Sequence, residues 1–280
     1  MRRTGKHFRS FARTTIAGIA CAALLVPGTG FAQGDLLIAP TRLVLDGRGG
    51  GEVILANQGS EPETYRISLE LRRMDEHGNL VTVDEADANA TEKAALAMIR
   101  YAPRRVTLPP SQPQSIRISA RPGADLPDGE YRVHMSFAAL PKVQPVTEAP
   151  TEKNGIAIKL IPVYGIVMPI IVRKGVLTVT AGLANPRIVH GPKGDQFAVD
   201  MVRSGSESIY GDLLVYPKGA KDPVFVARGL GVYPEIGTRH AVLPLTPAEA
   251  AALKGPALVE FREAPENGGA LITSVEAALG

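Results

Sequence analysis

The run Thr64-Tyr65-Arg66-Ile67-Ser68-Leu69-Glu70-Leu71-Arg72 alternates polar and apolar side chains without a fault. Successive side chains of a strand point to opposite faces, so Tyr65, Ile67, Leu69 and Leu71 share one buried face. Tyr131-Arg132-Val133-His134-Met135-Ser136-Phe137 repeats the pattern, with His134 on the outward face. Shorter apolar runs lie at residues 53–56, 106–108 and 115–119. Turn signals separate them: Gln58-Gly59-Ser60, His77-Gly78-Asn79, Pro109-Pro110 and Pro127-Asp128-Gly129. Short alternating strands at regular spacing predict an antiparallel sandwich. One helical segment, residues 91–99, is only two or three turns long and reads as a crossover.

Beyond Phe137 a polar, proline-bearing loop occupies residues 141–154. The most apolar stretch outside the N-terminal segment follows: Ile156-Ala157-Ile158-Lys159-Leu160-Ile161-Pro162-Val163-Tyr164-Gly165-Ile166-Val167-Met168-Pro169-Ile170-Ile171-Val172. Arg173-Lys174-Gly175 reads as a linker. A second strand series starts there, at residues 176–182, 196–203, 210–216, 224–232, 238–244, 257–261 and 271–275. Thr246-Pro247-Ala248-Glu249 opens a short helix, with a capping threonine and proline at the first helical position. The expectation is all-β: a first sandwich over 33–172 and a second, smaller one over 176–280.

The N-terminus reads as an export signal. Arg2, Arg3, Lys6, Arg9 and Arg13 precede a small-residue apolar segment that ends at Pro27-Gly28, and Gly30-Phe31-Ala32 suits a signal peptidase. Removing residues 1–32 changes the charge. The whole chain carries 31 basic and 28 acidic residues, and five of the basic ones lie in this segment, leaving 26 against 28. Nucleic-acid binding thereby loses its electrostatic basis. Cys21, the only cysteine, also leaves with the signal, so disulfides and thiol chemistry are excluded from the remainder. No second apolar stretch is long enough to span a bilayer. The expected location is the periplasm.

One residue stands out in the first apolar run, Leu36-Leu37-Ile38-Ala39-Pro40-Thr41-Arg42-Leu43-Val44-Leu45. Read as one strand, it places Arg42 on the face of Leu36, Ile38 and Val44. A cation there needs a partner, within the protein or in a ligand. An internal salt bridge and a stem reaching out to solvent are the plain alternatives. Other polar groups point to no chemistry. His77, His134, His190 and His240 lie at no metal-ligand spacing from one another. Asp84, Glu85 and Asp87 read as a solvated loop, and Ser204-Gly205-Ser206 lacks the strand–turn–helix context of a nucleophile. No catalytic set, metal site or cofactor motif is expected, and the chain does not read as an enzyme.

Thr41-Arg42-Leu43-Val44-Leu45-Asp46-Gly47, followed by a strand and Asn57-Gln58-Gly59-Ser60, resembles the first two strands of PapD-like periplasmic pilus chaperones. Tyr101-Ala102-Pro103-Arg104-Arg105-Val106-Thr107-Leu108-Pro109-Pro110 with Gln114-Ser115-Ile116-Arg117-Ile118 resembles that family's proline-bracketed strand pair. The segment from Tyr131 to Pro141 resembles its penultimate strand. The resemblance covers residues 35 to about 172. It implies two immunoglobulin-like sandwiches in an L or boomerang arrangement. It also implies a periplasmic chaperone that lends an edge strand to a pilus or fimbrial subunit and delivers it to an outer-membrane usher. Self-dimerisation through that edge is an open alternative.

By this resemblance Arg42 falls on the arginine that receives the client's C-terminal carboxylate. Ile156, Ile158 and Leu160 fall on the donated strand. Counting back from Pro169, the family's second anchor, a lysine, is replaced by Tyr164, and Lys159 matches it only in a shifted register. Three readings stay open: Tyr164 bonds the carboxylate, Lys159 does, or Arg42 acts alone. The runner-up function keeps the fold and drops the chaperoning: a secreted structural or adhesion-type binding module.

Overall fold

The computed structural model describes residues 36–47, 49–141 and 164–280. The export-signal reading (1–32), the loop from 142 and the strand residues Ile156, Ile158, Lys159 and Leu160 lie outside them. The described part is almost entirely β. No described helix is long and apolar enough to cross a membrane.

The first sandwich contains β1 (Leu36–Ala39), β2 (Leu43–Leu45), β3 (Gly50–Asn57), β4 (Glu63–Met74), β5 (Leu80–Val83), α1 (Ala90–Met98), β6 (Ile99–Ala102), β7 (Arg105–Leu108), β8 (Gln114–Ala120), β9 (Gly129–Ala139) and β10 (Gly165–Lys174). One sheet has the order β1-β3-β8-β6. The other has the order β2-β10-β9-β4-β5, with β7 also on β4. In immunoglobulin terms these are an A-B-E-D sheet and an A′-G-F-C-C′ sheet. The predicted inward residues do form the core between them: Tyr65, Ile67 and Leu71 of β4 lie beside Val133, Met135 and Phe137 of β9 and face Val53, Leu55, Ile116 and Ile118 of the other sheet. The predicted helix is α1, and Asn89 and Glu92 close a capping box at its start.

The first apolar run is not one strand. β1 pairs antiparallel with β3 in one sheet, whereas β2 runs parallel to β10 in the other. The crossing at Pro40-Thr41-Arg42 resets the alternation. Leu36 and Ile38 are buried, yet after the crossing Leu45 is the buried residue and Val44 is exposed. Arg42 therefore does not share a face with Leu36 and Ile38. It shares Val44's side, the outer face of the second sheet.

The second sandwich contains β11 (Val179–Gly191), β12 (Gly194–Gly205), β13 (Ile209–Pro217), β14 (Phe225–Val232), β15 (Thr238–Pro244), α2 (Pro247–Ala252), β16 (Gly255–Arg262) and β17 (Leu271–Leu279). A β11-β12-β15 sheet faces a β14-β13-β16-β17 sheet. Seven strands were expected here and seven occur. β11 runs well past its expected end, because a bulge between Ala184 and Arg187 absorbs Asn185, at φ +52, and Pro186. Phe197, Met201, Leu213, Val259 and Phe261 fill this core.

The outer face of β4, β9 and β10 is not solvated throughout. Met74 and Ile171 pack against Tyr233 of the second sandwich. Arg132 lies 3.6 Å above the Tyr233 ring and pairs with Glu235 at 2.5 Å. Glu235 also accepts the Met74 backbone N–H at 2.8 Å. The turn of the β4–β5 hairpin adds a backbone contact, His240 N–H to the Glu76 carbonyl at 2.6 Å. Gly78 sits in this turn at φ +84, and a side chain there would overlap the Arg239 guanidinium. Gly78→Ala is expected to cost about 1–3 kcal/mol, from strain in the left-handed region plus overpacking. Urea unfolding checks this, and faster amide exchange at His240 is expected to accompany it.

Candidate functional site

Two features come together where the sandwiches meet: a cation with no counter-ion, and a strand edge with no partner, among the described residues. β2 is only three residues long, and it pairs with β10 at Ile170, Ile171 and Val172. Arg42 precedes β2, so in register it lies beside Pro169, pointing toward the second sandwich. Its Nη2 donates to Ser208 Oγ at 3.1 Å, and its guanidinium stacks 4.6 Å from the Tyr210 ring centroid. Its Nε is buried without a hydrogen-bond partner. Among the described residues Arg42 forms no ion pair. Burial holds its pKa below the ordinary arginine value; Tyr233 and Glu130 oppose that shift and Arg173 adds to it.

Glu130, at the start of β9, has a fully buried side chain. Its Oε2 accepts both the Ser208 backbone N–H at 3.1 Å and the Ser208 hydroxyl at 2.8 Å. Arg173 Nε reaches the same oxygen at 3.3 Å, and Arg173 Nη1 pairs with Glu207 at 2.8 Å. Glu130 therefore has its counter-ion in Arg173, and Ser208 stands between it and Arg42.

The open edge belongs to β10. One side of β10 pairs with β9 along its whole length. The other side pairs with β2 only at 170–172, so among the described residues 165–169 have no partner there. Met168, Ile170 and Val172 point into the first core. Ile166 and Tyr164 have the same parity but project beyond the core's end, 38 % and 44 % exposed. Tyr164 still belongs to the strand, since its carbonyl accepts the Ala139 N–H at 2.9 Å. Ile156, Ile158 and Leu160, outside the described residues, share that even-numbered parity in the sequence. Pro169 fits an edge, where its missing N–H breaks no ladder.

The structure does not bring Tyr164 to Arg42. Five residue steps separate Tyr164 from Pro169, the register position of Arg42, roughly 16 Å along the strand. Side chains stand nearly perpendicular to the sheet, so the two do not converge on one carboxylate. Lys159 lies outside the described residues. Sequence reasoning missed Ser208, Tyr210 and Glu130. No local signal marks Ser208, which reaches Arg42 across 166 positions of chain. Glu130 carries no signal either: it falls in phase with Arg132, His134 and Ser136 on the polar side of the alternation.

His134 is on the outer face of β9, as expected, but it is 1 % exposed rather than solvated. Neither ring nitrogen has a hydrogen-bond partner. Burial, with Arg132 and Arg72 adding repulsion, pushes its pKa down to about 3.

No family model and no curated protein matches this sequence. Solved structures with a similar strand arrangement include the YadV chaperone, at 14 % identity and TM-score 0.47 over 88 % of this chain and 100 % of that one. The Escherichia coli chaperone DraB matches at 15 % identity and TM-score 0.44 over 87 % and 98 %. A chain from a chaperone–tip adhesin complex of CFA/I fimbriae matches at 12 % and 0.45 over 88 % and 99 %. Likeness at this level carries no argument about function, which has to come from the site.

Proposed function

We propose that this chain is a non-enzymatic periplasmic chaperone of the pilus-assembly type, exported by residues 1–32. It lends the open edge of β10 to a fimbrial-type subunit and receives the subunit's C-terminal carboxylate on Arg42. The supporting observation is the phase of β10. The strand whose even-numbered side chains fill the chain's own core continues past that core with its outer ladder unpaired among the described residues. The same parity runs back through Tyr164 to Leu160, Ile158 and Ile156. A subunit lacking a strand exposes an apolar groove and an unpaired edge. Such a strand supplies both missing parts, main-chain bonds for affinity and alternate side chains for pockets. Arg42 supplies a charge at the end of the line, as a guanidinium suited to a carboxylate. On this reading Tyr164 is a donor-strand residue, Arg42 carries the anchor, and an outer-membrane usher takes over the loaded complex.

The reading is tested by periplasmic co-expression with the exported subunits encoded beside its gene. Full-length subunit is expected to co-purify with the wild type. Ile166→Asp, which puts a charge where an apolar pocket is to be filled, is expected to lower recovery by tenfold or more, at about 1–3 kcal/mol per desolvated polar group. Undiminished recovery with a folded Ile166→Asp protein would show that β10 is not the donated strand. Recovery of no such subunit would instead favour the adhesion-type module.

A further inference from the structure

We infer that Ser208 is a positioning residue for Arg42: it orients the guanidinium toward an incoming peptide carboxylate without neutralising it. The inference rests on the anchoring reading above. A hydroxyl has one proton to give. Ser208 commits it to Glu130 Oε2 at 2.8 Å, so only its lone pairs face Arg42 Nη2 at 3.1 Å. Ser208 is thereby fixed as an acceptor. Its backbone N–H holds the same carboxylate oxygen, so the residue is pinned at two atoms.

This arrangement settles what Arg42 can still do. A carboxylate at position 208 would pair with the guanidinium and quench it. Glu130, the buried acid of the network, is engaged through Oε2 by Arg173 and by both Ser208 donors, and its Oε1 makes no hydrogen bond to Arg42 or to any other described residue. Arg42 is left with one bond to a neutral oxygen and one ring face at Tyr210. Together these fix the plane and one corner of the guanidinium, while most of its five N–H groups find no partner among the described residues. The pre-oriented, uncompensated fork is matched to a planar anion that can accept two N–H groups, which for an extended client strand is its terminal carboxylate. Ser208 and Tyr210 belong to the second sandwich and Glu130 to the first, so the orientation depends on the docked pair.

The test uses the mature chain and a short peptide of alternating valine and threonine, prepared as free acid and as C-terminal amide. The wild type is expected to prefer the acid about tenfold, and Arg42→Ala to abolish the preference. Ser208→Ala is expected to cut it about threefold or more, the worth of one neutral hydrogen bond. Ser208→Thr, which keeps the hydroxyl, is expected to restore it, and Ser208→Asp to abolish it by internal pairing. In nitrogen-15 NMR of the arginine side chains, the Arg42 guanidinium is expected to rotate slowly in the wild type and Ser208→Thr but freely in Ser208→Ala. Ser208→Ala with an unchanged acid preference and unchanged Arg42 rotation, while Arg42→Ala loses the preference, would overturn the inference alone. A preference that survives Arg42→Ala would overturn the anchoring reading and this inference with it.

Discussion

Arg42→Ala is expected to weaken client binding by about 2–5 kcal/mol, which is roughly thirtyfold to several thousandfold in Kd. The magnitude follows from what stays behind. On the proposed reading a client carboxylate drawn to the junction of the sandwiches loses water, and without Arg42 it keeps no free cation there among the described residues, since Arg173 is held by Glu130 and Glu207. The chain's own stability should change little, because Arg42 makes no ion pair among the described residues and leaves its Nε without a partner. Titration calorimetry with a purified subunit, beside urea unfolding of the free protein, separates the two effects. Equal affinity of both proteins for the subunit would remove Arg42 from the site. Arg42→Lys should recover only part of the loss, since an ammonium lacks the planar fork.

The second large effect is acid sensitivity centred on His134. Its native pKa, about 3, lies well below that of an exposed histidine. Between those values the unfolded chain binds a proton that the native chain refuses, so stability falls as pH falls. The slope is about 1.4 kcal/mol per pH unit below pH 6.5. From pH 7 to pH 5, above the range where most carboxylates titrate, the loss is about 2 kcal/mol. Arg132 and Arg72 act in the same direction as burial, and no described group bonds either ring nitrogen to offset them. His134→Leu should remove this slope while keeping an apolar group under the interface. Urea midpoints at pH 7, 6 and 5 for the two proteins measure it, and parallel curves would refute the assignment.

His134 also shows where sequence reading stops. Period-two alternation placed it on the outer face of β9, and that was right. Whether an outer face is wet depends on what lies against it, and a strand's own pattern carries no information about that. Arg42 illustrates the converse. Its apolar setting suggested an inward cation on one continuous strand, but the chain crosses between sheets at residues 40–42 and the alternation restarts in a new phase. Counting along the strand leaves open Tyr164, Lys159 or Arg42 alone as the anchor, and the parallel register of β2 on β10 sets Tyr164 roughly 16 Å along the strand from Arg42.

What could be read from the residues alone was everything set by local periodicity and turn chemistry. Most strands of both sandwiches, the inward faces of β4 and β9, the two short helices and the shared parity of Ile156, Ile158 and Leu160 are written within a few neighbours of each residue. What required the folded molecule was everything made by pairs distant in the chain. The short β2 that leaves half of β10 without a partner among the described residues arises from pairing across the first sandwich, and the docking of Arg132 on Tyr233 and the Glu130–Ser208–Arg42 relay arise only when two sandwiches meet. The physical reason is that backbone periodicity sets which way a side chain points, whereas its partner, its burial and its charge state are set by whatever surface is brought against it.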